Sequence, residues 1–424
     1  MHFDRARKVA DAVLYEGYVL YPYRASSRKN QLRWQFGVLA PQTWNEAGGC
    51  EAWWTQTECV IEARPDLRFV GKARFLQLEQ RVIEQALNAR GDAFERIESL
   101  DAGGKLWTSW DEGVEREIDF GLPTGRFRKQ VVAFELPEEE RAEQIFDHRG
   151  EIAGRCIRYR ASISGVVRLD AEQVASGLVK VSVRIENVSK SCPKRAAREE
   201  AMQHSMIGTH LLLGVSGGAF VSPLDPPEVA VEAIAACKNV RAWPVLAGEE
   251  GARDVILSAP IILYDYPQIA PESAGDLFDA TEIDEILTLR TMTLTDEEKR
   301  EARAADPRTA KLMDRVDGTS AETLERLHGG MRAEGPEHVR IDGVIVKKGC
   351  RVRLSPGMGA RRTDAQDIFY AGRIGTVQEV RRDVDGNEYL AVSVEDDPAR
   401  FLHGIRGRYL YFSPDEVELL EETV

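Results

Sequence analysis

The spacing of apolar and polar positions changes twice along the chain, and the changes divide it into three stretches. At the start, Ala6, Val9, Ala10, Val13 and Leu14 recur at helical spacing, so Asp4–Tyr15 reads as an amphipathic helix. Gly17 ends it, and Pro22 disfavours helix at Tyr21, so "YVLYPY" continues as extended chain. From Trp34 to about Asp265 the pattern is mainly that of strands. Runs such as "RWQFGVLA", "CEAWWTQTECVIEA", "RCIRYRASISGVVRL" and "THLLLGVSGGAFVS" are rich in Val, Ile, Trp and Phe and are broken by Gly, Pro and Asn. "VKVSVRIENVS" alternates as a half-buried strand should. Helical interruptions are expected at Glu79–Ala89, Lys194–His204 and Pro227–Cys237.

Beyond Pro271 the chain turns helical and strongly charged. Thr295 with Glu298 forms the S/T-x-x-E signature of a capping box, for a helix through about Ala304. Asp306-Pro307 sets a boundary between helices. Thr319 is placed to cap a further helix, Ala321–His328, that Gly329-Gly330 ends. From about residue 337 short strands return, with Asp385-Gly386 as a hairpin turn signal between two of them. The expected fold is mainly β with helical insertions. Residues 1–270 form a β-rich body, sandwich-like or an open barrel, behind an N-terminal helix. Residues 271–336 form a charged helical connector or arm, and residues 337–424 a small β-barrel.

Composition narrows the function classes. The chain has 424 residues and a net charge of −14, an acidity that argues against a general nucleic-acid binder. No apolar run approaches the length of a spanning helix, and the N-terminal segment has no signal-peptide core, so a cytoplasmic protein is expected. Cys50, Cys59, Cys156, Cys192, Cys237 and Cys350 include no C-x-x-C pair, which reads as small buried hydrophobes rather than a zinc or iron–sulfur site. The histidines have no zincin spacing, and neither a P-loop nor a dinucleotide fingerprint is present; no metal and no cofactor is expected.

Against this acidic background, "YEGYVLYPYRASSRKNQLRW" is dense in tyrosines and basic residues. Tyr21, Tyr23, Arg24, Ser26, Ser27, Arg28, Lys29, Asn30, Arg33 and Trp34 together could stack on, hydrogen-bond and ion-pair with an anionic group. Two readings stand: a recognition segment, or tyrosines packed at the entry to the body beside a solvated basic loop. Nucleophilic catalysis by Ser26 or Ser27 lacks a G-x-S-x-G elbow, and no catalytic residue is assigned. A second cluster, Asp265, Glu272, Asp276, Asp279, Glu282, Asp284 and Glu285, has no EF-hand order and suits helix capping better than cation binding, with Thr281 as a cap. In the C-terminal stretch Lys347, Lys348, Arg351, Arg353, Arg361, Arg362, Arg381 and Arg382 are matched by acids such as Glu395, Asp396 and Asp397, which favours a protein partner over RNA.

Two resemblances add to this. Gly349, Arg351 and Val352, followed by Gly375, Thr376 and Val377, resemble the glycine–valine steps of KOW and SH3-like barrels. "LYEGYVLYPYRASSRKNQLRWQFGVLAP", "LDPP", "ILSAPIILYDYPQIAPESAGDLFDATEIDEILTLRTMTLTDEEKREAR" and "YFSPDEVELL" resemble an uncharacterised bacterial family associated with gene clusters for actinobacterial-type high-affinity [NiFe]-hydrogenases. That resemblance implies an accessory role in assembling, maturing or organising the hydrogenase, with hydrogenase subunits or maturation proteins as partners. It carries over no catalytic residue. The alternative is an enzyme acting on a small anionic substrate held by Tyr21–Trp34, in a pocket where Arg24 or Lys29 meets a carboxylate such as Glu16.

Overall fold

The computed structural model describes residues 3–27, 30, 33, 36–88, 90–122, 129–269, 278, 284–318, 338–341, 344–355, 370–382, 388–395 and 409–420. The chain divides into two compact units, Met1–Thr319 and Ser320–Val424. Helix α1 (Asp4–Leu14) leads into α2 (Gln42–Glu46) and then into one very long strand, β1 (Trp54–Ala86). The hairpin β3 (Ser99–Ala102)–β4 (Lys105–Thr108) follows the short β2 (Phe94–Ile97). After these come β5 (Trp110–Leu122), β6 (Gln130–Leu136), β7 (Glu139–Phe146), β8 (Ile152–Arg160), β9 (Ile163–Ala175) and β10 (Leu178–Asn187). Helix α3 (Arg198–Gln203) precedes β11 (Ile207–Phe220), α4 (Val231–Ala235), β12 (Trp243–Leu246) and β13 (Val255–Ala259). Three helices close the unit: α5 (Asp284–Met292), α6 (Asp296–Ala305) and α7 (Pro307–Asp317).

The body is β-rich with helical insertions, and β1 organises it. Its first part pairs antiparallel with β10 and its middle with β11 and β5; its last residues pair with β8 and β2. The result is an 11-stranded sheet ordered β12-β13-β11-β1-β10-β9-β6, with β2, β5 and β8 branching from β1 and β7 added beside β8. A register shift between Ala63 and Arg68 lets β1 change course while it stays paired. Phe69, Phe75 and Phe120 from one part of the sheet share a core with Val167, Leu169, Val181 and Val183 from β9 and β10.

Where a helix is expected over Glu79–Ala89, Glu79–Ala86 is instead the end of β1. Its charges are not a solvated helix face: Glu79 is buried and meets Arg141, Arg158 and Arg160, while Arg81 meets Glu112. Neighbouring strands supply these countercharges, and tertiary pairing overrides the local helical pattern. At the other two expected interruptions the helices are short, α3 and α4, the latter behind a 3-10 turn at Glu228–Ala230. Helices α5–α7 do not stand free as an arm. Leu312, Met313 and Val316 of α7, with Ala302 and Ala305 of α6, pack against Leu14, Tyr18, Val19 and Tyr23 in a second core. The Thr295–Glu298 capping box is present, and Asp306 accepts from the Arg308 N–H at 2.7 Å to cap α7, whose first residue is Pro307. Thr281, Thr319 and the helix expected at 321–328 lie outside the described residues.

The second unit carries the hairpin β14 (His338–Ile341)–β15 (Val344–Lys347). It also carries β16 (Arg351–Leu354), β17 (Ile374–Arg382), β18 (Glu388–Val394), β19 (Leu410–Phe412) and β20 (Val417–Leu419). The last five form one antiparallel sheet ordered β19-β18-β17-β16-β20, with a 3-10 turn at Pro414–Glu416 leading the fifth strand back to the first. Strands β17 and β18 are antiparallel neighbours across Asp385-Gly386, as that turn signal requires, although the turn residues themselves lie outside the described set. Val352, Leu354, Leu390, Val392 and Phe412 lie in a core of this unit's own.

Candidate functional site

The entry segment is where the sequence concentrates its chemistry, and the fold draws most of its described part inward. Gly17, at φ 69°, turns the chain out of α1 and donates its N–H to the Phe278 carbonyl at 2.9 Å. Tyr18 is fully buried. Its hydroxyl donates to Asp306 Oδ2 at 2.6 Å and accepts from the Gly113 N–H at 3.1 Å. Gly113 has no room for a side chain, because a Cβ there would lie 2.8 Å from the Tyr18 ring. Burial first, then the Asp306 charge, raises the Tyr18 pKa, so the phenol stays protonated as a donor.

The sequence-expected site residues separate into distinct environments. Tyr23 is fully buried, in a turn closed by its own N–H to the Leu20 carbonyl at 2.8 Å. Asn30 is buried and ties the loop together: its Oδ1 accepts from the Leu20 N–H at 2.7 Å, and its Nδ2 donates to the Leu20 and Arg24 carbonyls at 2.9 Å each. Arg24 pairs with Glu298 of α6 at 3.1 Å, so it does not meet Glu16. Tyr21 is half-buried, edge-on to Tyr23; Ser26 is exposed, its N–H donating to Glu301 of α6 at 3.1 Å, and Ser27 is half-buried. Arg28, Lys29 and Trp34 lie outside the described residues.

Arg33 is the most informative member. Its guanidinium lies 3.5 Å above the Trp110 ring, donates to the Tyr18 carbonyl at 3.0 Å, and also donates to the Asp111 carbonyl. Burial pulls its pKa down to about 10, which leaves it a cation at neutral pH. Asn30 and Arg33 form one side of a cavity of ≈ 310 Å³. β1 contributes Leu78, Gln80 and Arg81 to the same cavity, and β2 contributes Arg96. Trp110 and Asp111 come from β5, and Arg198, Glu199 and Met202 from α3.

The charges around this cavity are unevenly satisfied. Arg81 is occupied: it pairs with Glu112 at 2.5 Å and donates to the Thr108, Ala304 and Ala305 carbonyls, so it also caps the C-terminus of α6. Arg198 pairs with Glu51 at 2.7 Å. Asp111 accepts from Gln203 Nε2 at 3.2 Å, and burial raises its pKa while Arg33 opposes the shift. The Trp110 indole N–H and Gln203 Oε1 are buried without a partner among the described residues.

Sequence reasoning reached Asn30 and Arg33 but not Arg96, Trp110, Asp111, Arg198 or Glu199. These come from three separate elements and have no common spacing; only the pairing of β5 with β1 sets Trp110 opposite Arg81. Of the acidic cluster, Asp265 is structural, accepting from Ser222 Oγ at 2.5 Å and the Leu246 N–H at 2.8 Å. Glu272, Asp276, Asp279 and Glu282, and the side chains of Asp284 and Glu285, lie outside the described residues. Cys59, Cys156 and Cys192 are buried, Cys237 and Cys350 are half-buried, and Cys50 is exposed. No group of three or more metal-ligating side chains occurs among the described residues, nor any helix long and apolar enough to cross a membrane. The sequence matches no protein-family model, and no curated protein matches it.

Proposed function

We propose that the chain is a non-catalytic accessory protein that works by binding other proteins, and that its partners are the [NiFe]-hydrogenase subunits or maturation proteins implied by its sequence resemblance. One observation carries the binding reading. The extended segment after β13 turns Ile261 and Leu263 against the core shared by α1 and β13, and exposes Ile262 and Tyr264 at 74% and 84%. Alternation along extended chain places these two on one side. Large apolar side chains grouped this way are typical of a surface that a partner covers.

This surface suits docking better than the basic entry segment does, because Tyr23, Asn30 and Arg33 are committed to internal contacts. The strand order of the second unit, a meander whose fifth strand returns to the first, supports an SH3-like reading and a second docking module. The test is co-expression with the hydrogenase subunits and maturation proteins, followed by co-purification. The double variant Ile262→Asp, Tyr264→Asp should lose capture while its melting temperature is unchanged. Undiminished capture would remove this surface from the proposal; failure of the wild-type chain to retain any of those proteins would remove the hydrogenase reading.

A further inference from the structure

Charge is unevenly matched in the second unit. Each carboxylate among its described residues is held: Glu379 by Arg381, Glu395 by Arg351, Glu418 by the Ser355 hydroxyl and Glu416 by the Ser413 hydroxyl, while Glu388 and Asp415 also have partners. The side chains of Arg340, Lys347 and Lys348 have no ion pair or hydrogen bond among the described residues. Strand pairing gathers these cations. The register of β14 with β15 sets His338 opposite Lys347 and Arg340 opposite Ile345. Directly opposed residues put their side chains on one face of the pair, so these four share a face, and all four are exposed, Ile345 at 47%. Val339 and Val346, on the other face, are buried with Ile341 in the core of the unit. The hairpin is thus seated by its apolar side, and its outer side is an unpartnered face with one isoleucine among cations.

We propose that this face docks an extended acidic segment of a partner protein. An aliphatic side chain of the segment lies on Ile345, and carboxylates flanking it meet Arg340, Lys347 and Lys348. Charge complementarity selects the acidic partner, and the central isoleucine selects a protein. Alternate side chains of an extended chain project the same way about 7 Å apart, which is also the spacing of Ile345 and Lys347 along β15. A nucleic acid brings charge but nothing for Ile345 to bury, and its polyanionic backbone is repelled by a chain of net charge −14. The proposal rests on the reading of this unit as a docking module and adds the chemistry of what the module takes.

The probe is a fluorescein-labelled peptide with one leucine between two pairs of glutamates, titrated with the full chain and followed by fluorescence polarisation. It should bind saturably, and more weakly as sodium chloride is raised, because the ion pairs are exposed. Replacing its glutamates by glutamine, or its leucine by serine, should weaken binding several-fold. Arg340→Glu with Lys347→Glu should weaken it about tenfold or more, since each reversal removes an attraction and adds a repulsion. Ile345→Ser should cost several-fold. These side chains are exposed, so the melting temperature should not move; Arg340→Gln with Lys347→Gln repeats the test should the reversals disturb the hairpin. A single-stranded oligouridylate of similar length is the competing polyanion. No saturable binding of the acidic peptide, equal binding of its glutamine or serine form, tighter binding of the oligouridylate, or indifference to both pairs of charge substitutions would each overturn the proposal. None of these outcomes involves hydrogenase proteins or capture through Ile262 and Tyr264, so failure there is a separate result.

Discussion

His210 and Arg74 form a buried polar pair whose protonation follows from geometry. Arg74 is fully buried on β1, yet its guanidinium reaches Asp11 of α1 at 2.6 Å and lies 3.5 Å from His210 Nε2. His210 Nδ1 is 2.8 Å from the Gly208 carbonyl, so Nδ1 carries the proton and Nε2 is left to accept. Burial, with the Arg74 cation nearby, pulls the histidine pKa from 6.5 down to about 3. The unfolded chain therefore takes up a proton near pH 6.5 that the folded chain refuses. Stability from this site is complete above pH 6.5 and falls as the pH drops below it. By pH 5 the loss should be about 2 kcal/mol, and His210→Gln, which keeps an acceptor for Arg74, should lose less over the same range. Urea unfolding at pH 7.5 and pH 5 checks this; equal losses in the two proteins would show that His210 is not the group responsible. None of this was legible from spacing, which gave only that the histidines have no zincin arrangement.

At the scale of elements, the junction of α6 and α7 depends on one carboxylate. Asp306 caps α7 through Oδ1 and accepts the buried Tyr18 hydroxyl through Oδ2, so it joins the helical pair to the entry segment. Asp306→Ala should cost about 2–4 kcal/mol, the sum of a lost cap and a buried hydroxyl stripped of its acceptor. Asp306→Asn should recover most of the cap but less of the charge-assisted bond. Chemical denaturation of both variants measures the difference; a cost for Asp306→Ala below about 0.5 kcal/mol would mean the junction is held by apolar packing alone. The sequence showed the capping box, the Asp306-Pro307 boundary and α1, because caps and breakers act within a few residues. It did not show that α6 and α7 lie on Tyr18 and Tyr23, or that Glu79–Ala86 is strand. Both depend on partners contributed from elsewhere: Asp306 lies 288 residues from Tyr18, and Glu79 finds its arginines on β7 and β8. The cavity was half-legible for the same reason, since Arg33 stood out by composition whereas Trp110 and Arg96 became neighbours only through strand pairing.

For the whole molecule, the placement of the cores determines how it should unfold. The cores of Met1–Thr319 join α1, the helical pair and the large sheet, whereas the core around Val352, Leu390 and Phe412 draws on the second unit alone. Calorimetric unfolding should therefore show two transitions, because neither core has to open for the other to melt. Phe412 is fully buried in the smaller core, and Phe412→Ala removes its ring at a cost of about 3–5 kcal/mol. Set against the small total stability of a domain of about a hundred residues, that loss should lower one transition steeply or abolish it at room temperature. The transition of the larger unit should keep its midpoint in the same scan. Phe75→Ala, in the core of the large sheet, makes the reciprocal test, lowering the other transition and sparing the first. A single transition that either variant shifts as a whole would mean that the two units unfold as one cooperative body.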